Sequence, residues 1–260
     1  MIARRHVLKM GLIGSSCALC GGIGGTLSGK ARAETAPTSI SGVGYELWFV
    51  GAQRETMAQG KLGAILDLRT LANEPDLYGI GPIEQLRGEV TVINSHSALA
   101  SIGADGRVRV RESFETGVPF FVWTKVPLWR PVPVPAEVRS FEDLERYVPK
   151  IAAAVGLDPD KPLPFLLSGR ADLIEFHILH RTGVGPYSLD MLKQIQVPFT
   201  GVQEEAAIIG FYSAKHRGIF TPADSDIHLH FQTPDNSNSG HVTKLELGQK
   251  VTLSLPASRV

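Results

Sequence analysis

The sequence predicts an α+β fold, with a mixed or antiparallel β-sheet in the N-terminal part and a β-barrel-like C-terminal part carrying a three-histidine metal site. Strand-like segments dominate, and the few helical segments do not alternate regularly with them. This pattern favours antiparallel or mixed sheets over a doubly wound parallel sheet. Three of the eight histidines fall within 14 residues, at His228, His230 and His241. At 260 residues and 43% hydrophobic content, the chain is long enough to bury a sizeable core.

Residues 1–33 are typical of an export signal of the twin-arginine type. Arg4 and Arg5 precede a glycine-rich apolar segment, and Ala31-Arg32-Ala33 forms a plausible cleavage site. We therefore expect export to the periplasm or secretion, with an uncleaved anchor as the alternative. Cys17 and Cys20 both lie in this segment, so cleavage would leave a mature chain without a thiol.

The next region, residues 34–160, is expected to form an N-terminal α+β sheet domain. Small polar residues at 34–42 predict a flexible leader. Residues 61–73 predict a helix, because Leu62, Ile65, Leu66 and Leu68 lie near one helical stripe. Gly79-Ile80-Gly81-Pro82 then breaks the pattern. Strands are predicted at 45–50, 89–94, 106–110 and 119–126, followed by an extended proline-rich connection at 127–135.

A helix should begin after Ser140, because Ser140 and Asp143 have the spacing of a capping box. It should run to about Val155, with Pro149 kinking or splitting it. Residues 161–260 are expected to form the β-rich, metal-binding region. Its predicted elements are a linker at 158–164, a short helix or irregular segment at 187–196, and strands at 165–167, 174–179, 206–212, 227–231, 241–247 and 251–255.

The charge distribution argues against a nucleic-acid partner. Without residues 1–33, which hold five basic residues and no acidic one, the chain has 21 basic and 26 acidic residues. A mildly acidic body lacks the basic surface that nucleic acid requires. We also expect no membrane partner after cleavage of the signal.

The histidine spacing predicts a metal centre. On a strand, His228 and His230 point to the same face because successive side chains alternate. The turn-forming residues 232–239 allow the chain to reverse and bring His241 beside them. Three imidazoles without a fourth ligand nearby are typical of a catalytic zinc site with an open position, although other divalent ions are accepted by such sites. The alternative is a polar strand face or a hydrogen-bonded histidine pair.

These motifs resemble the α-acetolactate decarboxylase family. The family has a His-x-His-Phe, a polar turn and a Gly-His-Val, which correspond to His228-Leu229-His230-Phe231 and Gly240-His241-Val242. Its Gly-x-Gly…Leu-Asp-Gly-Glu segment resembles residues 79–89, and its Gly-Phe strand resembles residues 208–211. The resemblance implies that His228, His230 and His241 bind Zn²⁺. It also points to a homodimer formed through the N-terminal sheet.

The resemblance implies decarboxylation of 2-acetolactate, or of a similar 2-hydroxy-3-oxo acid, to acetoin. Glu89 corresponds to the family's glutamate and is the candidate for positioning the substrate or moving the proton. The family's arginine position falls on His177, which is therefore a ligand, a proton donor or a core histidine; Arg181 or Arg170 could take the arginine's place. Asp224 and Asp226 could orient a ligand imidazole or cap a turn.

Two departures keep a second function open. The family's metal-facing arginine is replaced at His177, and the family's C-terminal glutamate has no counterpart before Val260. The alternative is an exported metalloprotein of the same fold without decarboxylase activity. Such a protein would act on another small oxo acid or a lactone, or would only bind metal.

Overall fold

Two antiparallel β-sheets form most of the structure, a computed structural model that describes residues 36–258. The expected signal and both cysteines lie outside the described residues. The strands are β1 (Thr38–Gly42), β2 (Tyr45–Val50), β3 (Leu66–Asp67), β4 (Leu77–Pro82), β5 (Glu89–Ile93), β6 (His96–Ile102), β7 (Val108–Glu112), β8 (Gly117–Val118), β9 (Phe121–Lys125), β10 (Trp129–Val132), β11 (Leu163–Leu179), β12 (Gln196–Tyr212), β13 (Ile227–Gln232), β14 (Ser239–Leu247) and β15 (Thr252–Pro256). The α-helices are α1 (Gln53–Gln59), α2 (Phe141–Ala154) and α3 (Leu189–Ile195), and short 3-10 helices lie at Leu68–Leu71 and Glu84–Leu86.

The first sheet has seven strands in the order β1-β2-β9-β4-β5-β6-β7, and the second has six in the order β10-β15-β11-β12-β13-β14. The short strands β3 and β8 form a separate pair. The antiparallel, α+β character predicted from the sequence is confirmed. In the C-terminal part, β11 pairs with both β12 and β14, so the pairings of β11, β12, β13 and β14 form a closed ring within the six-stranded sheet.

The principal core contains apolar side chains from both large sheets. Residues of β2, β4 and β9 contribute apolar side chains from one side, and the second sheet contributes the rest. Representative fully buried members are Leu47, Ile80, Val122, Phe165, Ile174, Ile209, Phe211, Leu229, Leu245 and Leu255. Because both sheets bury apolar area in one core, the described residues form a single compact unit.

The outer face of the first sheet is also covered. A second cluster on that face includes Val90, Val92, Phe121 and Trp123, against which the segment around Leu68 packs. Because Val90 and Val92 point outward, their neighbours Glu89 and Thr91 on β5 point towards the second sheet. Strand β5 packs there against β12, β13 and β14, and this contact positions the site described below.

Helix α2 follows the predicted capping box. The Asp143 amide donates to Ser140 Oγ, and the Ser140 amide donates to the Asp143 carboxylate. The helix is not split at Pro149, because Leu144, Val148 and Ala152 bury one continuous apolar face.

Residues 61–73 do not form the predicted helix. Leu62 packs with Leu86 and Leu179, whereas Leu66 and Leu68 pack in the cluster on the outer face of the first sheet. The leucines with helical spacing are therefore buried in two different clusters and do not form one helix face. Leu66 pairs with Val118 in a two-residue strand.

Four further boundary predictions are wrong. The strand predicted at 206–212 is β12, which begins at Gln196. Residues 38–42 of the expected leader form β1, paired with β2. The expected break at 79–82 lies in β4, a strand buried throughout. The two short strands predicted at 165–167 and 174–179 are one 17-residue strand, β11, which pairs with β12 along almost its whole length. Within residues 36–258, no helix has the length and apolar character needed to span a membrane.

Candidate metal centre

Four histidines meet on one face of the second sheet. His177 on β11 is directly opposite His241 on β14, and His241 is directly opposite His230 on β13. His228 lies two residues before His230 and so shares its face. Antiparallel register thus aligns three imidazoles across three strands and places the fourth beside them.

Three of these imidazoles are close enough to share one ion. His228 Nε2 and His241 Nδ1 are 3.0 Å apart, and the ligand atoms of His228, His230 and His241 all lie within 4.8 Å of one another. Two nitrogens bound to one zinc at 2.0–2.1 Å in tetrahedral geometry are about 3.3 Å apart. The separation between His228 and His241 therefore matches two ligands of a single ion.

Burial keeps these histidines neutral. Desolvation lowers the pKa of His228 to about 4, and desolvation together with the neighbouring His228 lowers the pKa of His177 to about 4. Burial and the surrounding histidines hold the pKa of His230 and of His241 well below the ordinary value. Neutral imidazoles retain the lone pair that a metal ion requires.

A loop carbonyl orients His228. The Phe220 carbonyl lies 2.7 Å from His228 Nδ1 and can only accept, so this nitrogen carries the proton and Nε2 faces His241. The two preceding carbonyls, of Gly218 and Ile219, accept the first amides of α1 at Arg54 and Gln53. One short loop therefore supports both a metal-ligand candidate and a helix that lines the cavity.

His230 is contacted by the first sheet. Its Nδ1 lies 3.2 Å from Thr91 Oγ1, and Thr91 Oγ1 lies 3.0 Å from Ser239 Oγ. Its Nε2 is buried and has no hydrogen-bond partner, although Glu89 Oε2 lies 3.9 Å away. An unpartnered buried nitrogen is costly unless something else binds it.

Glu89 lies between the two sheets at the beginning of β5. Its Oε1 accepts from the Leu179 amide at 3.4 Å and lies 3.8 Å from His177 Nε2. Burial raises the pKa of Glu89 well above its ordinary value, and the Leu179 hydrogen bond only partly opposes this. The preceding Gly88 is required sterically, because a Cβ there would lie 2.3 Å from the Ala100 carbonyl oxygen.

The cluster lines a cavity of about 600 Å³. Apolar side chains include Met57 of α1, Phe120, Phe141 and Leu192 of α3. Carboxylates are contributed by Glu89, Glu142, Glu145 and Asp224. Among the residues that the structure describes, no lysine or arginine lines this cavity.

The residues present fit a divalent metal ion. Three neutral imidazoles converge, and His230 Nε2 is a buried nitrogen without a hydrogen-bond partner, free to offer its lone pair to an ion. A histidine donor set suits zinc and several other divalent ions. The space beside the histidines opens into the cavity, so a bound ion could be reached by a small molecule.

All five predicted site residues converge here, but the candidate replacements for the family's arginine do not. The Arg181 guanidinium is buried and donates to Gln85 and to the Gly185 carbonyl, while Arg170 donates to Gln203 at 2.6 Å. Neither lines the cavity. Nor do the two aspartates orient His228: Asp226 binds Arg217 at 2.6 Å, and Asp224 is at the cavity wall.

Sequence reasoning missed three contributors to the site: Thr91, Ser239 and the Phe220 carbonyl. Thr91 is two residues after Glu89, and Ser239 is two residues before His241, so strand alternation could have placed both on the site's face. The Phe220 carbonyl has no comparable signal, because any residue carries a backbone oxygen.

Together, the fold and the site define a two-sheet antiparallel protein with a histidine cluster suited to a divalent metal at the base of a cavity. The α-acetolactate decarboxylase family model matches residues 52–258. The chain therefore belongs to the α-acetolactate decarboxylase family, which confirms the resemblance seen in the sequence.

Solved structures of similar fold agree with this. The chain resembles α-acetolactate decarboxylase from Bacillus subtilis strain 168, with 16% identity, a TM-score of 0.62, and coverage of 82% of this chain and 86% of that one. Acetolactate decarboxylase from Bacillus subtilis subspecies spizizenii is 16% identical, with a TM-score of 0.63 and coverage of 82% of this chain and 86% of that one. A Staphylococcus aureus protein of unknown function, similar to α-acetolactate decarboxylase, is 16% identical, with a TM-score of 0.61 and coverage of 80% of this chain and 84% of that one. At this identity the structures show the shared fold alone. A comparison with curated proteins finds no match.

Proposed function

We propose that this protein is a metal-dependent carboxy-lyase that converts 2-acetolactate, or a similar 2-hydroxy-3-oxo acid, to acetoin or its analogue. The observation that carries the proposal is the convergence of His228, His230, His241 and the buried carboxyl of Glu89 at the base of one cavity. Membership of the family supports it.

In this proposal the metal is held by His228, His230 and His241, with Zn²⁺ as the first candidate. A divalent cation there supplies positive charge where negative charge develops on the substrate oxygens. The three imidazoles add no charge of their own, so they do not offset that of the ion.

The chemistry requires one bond to break and one proton to be delivered. The bond between the carboxylate carbon and C2 breaks, and CO₂ leaves. The electron pair of that bond forms a double bond between C2 and the ketone carbon, and the negative charge passes to the ketone oxygen to give an enediolate. A proton added at C2 then yields the hydroxyketone. Glu89 is suited to supply this proton, because its burial favours the protonated carboxyl and it lines the cavity.

His177 has a separate place in the proposal. Its ring lies next to that of His241, with centroids 4.5 Å apart, and its Nε2 faces Glu89 Oε1. It is therefore placed to orient the Glu89 carboxyl or to exchange a proton with it. Because it is neutral, it cannot replace the charge of the family's arginine.

The direct test is an assay of the full-length protein with racemic 2-acetolactate. The protein is stripped with a chelator, reloaded with Zn²⁺, and assayed for acetoin and CO₂. We expect both products only in the reloaded sample, in equal amounts. Zinc bound at one equivalent without CO₂ release would contradict the proposal.

One observation favours the second candidate, a metalloprotein of this fold with another substrate. Within residues 36–258 the cavity wall offers no cationic side chain for a substrate carboxylate, and its outer part carries Glu142 and Asp224. A neutral substrate such as a lactone would not meet this repulsion. Turnover of lactones by the zinc-loaded protein, with none of oxo acids, would select this candidate.

A further inference from the structure

Both ring nitrogens of His230 face side chains of a single strand, β5. Thr91 Oγ1 lies 3.2 Å from Nδ1, and Glu89 Oε2 lies 3.9 Å from Nε2. Glu89 and Thr91 are two residues apart, so they share the face of β5 that meets the second sheet. The first sheet thus contacts the two sides of one imidazole that belongs to the second sheet.

A second hydroxyl supports Thr91. Ser239 Oγ donates to Thr91 Oγ1 at 3.0 Å, and Ser239 is two residues before His241 on β14. Thr91, Ser239 and His230 each have no exposed surface. Three buried polar groups are therefore in contact in series: Ser239 of β14, Thr91 of β5 in the first sheet, and His230 of β13.

The donor and acceptor roles follow from what each group can do. A hydroxyl oxygen has two acceptor lone pairs, so Thr91 Oγ1 can accept from Ser239 and also from an Nδ1–H of His230. A neutral imidazole carries one proton, and a proton on Nδ1 leaves the lone pair on Nε2. That is the buried nitrogen without a partner, turned towards Glu89.

We propose that Thr91, supported by Ser239, is a positioning residue that fixes the ring orientation and the Nδ1–H tautomer of His230, so that the Nε2 lone pair is presented to the metal. This inference rests on the metal site of the proposed function, and it concerns residues that the family resemblance did not single out. Partners on the outer nitrogen of a ligand histidine commonly alter metal affinity 10–100-fold.

The same protein contains buried hydroxyls that serve as matched controls. Thr56 Oγ1 and Ser97 Oγ are buried, and neither has a hydrogen-bond partner. Thr56→Val and Ser97→Ala therefore make the same changes of side chain at buried positions outside the histidine cluster. They separate loss of the Thr91 hydrogen bond from loss of a buried hydroxyl in general.

The test measures zinc affinity of the full-length protein by competition with a chromophoric chelator. Thr91→Val is expected to weaken zinc binding 10–100-fold, and Ser239→Ala by a smaller factor. Thr91→Ser, which keeps the hydroxyl, is expected to stay within threefold of the wild type, as are both controls. The visible spectrum of the Co²⁺-loaded protein should change in Thr91→Val and be restored in Thr91→Ser.

Nitrogen NMR of ¹⁵N-histidine-labelled, metal-free protein reads the tautomer directly. The wild type should show His230 protonated on Nδ1, and Thr91→Val should show a mixture. Wild-type zinc affinity and an unchanged tautomer in folded Thr91→Val would overturn the inference. If Thr91→Val does not fold, Ser239→Ala decides by the same readouts, since unchanged affinity and tautomer there would also overturn it.

These outcomes are distinct from failure of the proposed function. A protein that binds zinc through this arrangement but releases no CO₂ would contradict the decarboxylase proposal alone. An active decarboxylase whose zinc affinity ignores Thr91 and Ser239 would contradict the positioning role alone.

Discussion

His228 Nε2 and His241 Nδ1 lie 3.0 Å apart although the two residues are on different strands. In metal-free protein this is a hydrogen-bond distance that requires one nitrogen to be protonated. His228 already has its proton on Nδ1, directed at the Phe220 carbonyl. The pair is thus arranged with the His228 lone pair facing its neighbour, and an ion between the rings would bind both nitrogens.

Removing one of these rings should remove the metal. We expect His228→Ala to lower zinc affinity at least 100-fold, because it would leave two of the three proposed histidine ligands. The control is His96→Ala, which removes an exposed histidine paired with Glu112. Bound metal is measured by elemental analysis after dialysis. Equal zinc content in the two variants would contradict the assignment of His228 as a ligand.

Glu89→Gln should separate chemistry from metal binding. Glutamine keeps the size of the side chain and can accept from the Leu179 amide, but it cannot transfer a proton as a carboxyl does. We expect kcat for acetoin formation to fall 10²–10⁴-fold, the range typical of a lost general acid. Zinc content should stay at the wild-type value, and Glu112→Gln, an exposed change, should leave kcat as it is. An unchanged kcat in Glu89→Gln would remove Glu89 from the mechanism.

The acidic outer wall of the cavity should oppose an anionic substrate. Glu142 is exposed at the start of α2 and lines the cavity. At low ionic strength we expect Glu142→Gln to lower KM for acetolactate two- to fivefold with little change in kcat. Because salt screens exposed charges over about 10 Å at 0.1 M, the difference should shrink as salt is added. A KM that does not respond to Glu142→Gln at low salt would show that this charge lies outside the substrate's path.

The α2 cap should make stability depend on acid pH. Amide hydrogen bonds from Ser140 and Arg139 lower the pKa of Asp143 from 3.8 to about 2 in the folded protein. A depressed folded-state pKa contributes stability above the ordinary pKa, and that contribution is lost as the pH falls through about 2. We expect Asp143→Asn to lower Tm at pH 6, and the difference from wild type to narrow below about pH 4. The control variant is Asp190→Asn on α3, a helix whose Ser188 forms no side-chain cap.

Export can be tested independently of the fold. Replacing Arg4 and Arg5 together by lysine keeps the charge of the segment but changes the arginine pair. In a bacterium with a twin-arginine translocase, we expect the wild type to be processed near residue 33 and exported, and the double variant to accumulate unprocessed inside the cell. Cell fractionation and N-terminal sequencing give the result. Equal export of both forms would exclude this route.

Short-range patterns predicted the parts of the structure that depend on local geometry. The His228–His230 alternation and the Ser140–Asp143 cap depend on residues within three positions, and both are present. The helix predicted at 61–73 is wrong, because the apolar residues with helical spacing pack in two different clusters, and only the tertiary structure separates these clusters. The distance from Glu89 to His230 could not be derived from the residues alone, because it depends on how two sheets dock. Family resemblance indicated Glu89. Strand alternation could place Thr91 and Ser239 on the same face as the site, but their contact with each other depends on the packing of β5 against β14.

Three consecutive carbonyls at residues 218–220 join the cavity wall to the histidine cluster. Those of Gly218 and Ile219 hold the first amides of α1, and that of Phe220 holds His228. The loop therefore connects the cavity wall to the imidazole: a displacement of α1 would also shift the carbonyl that orients His228. The orientation of the His228 imidazole should therefore depend on the position of α1, even for a molecule that contacts only the helix.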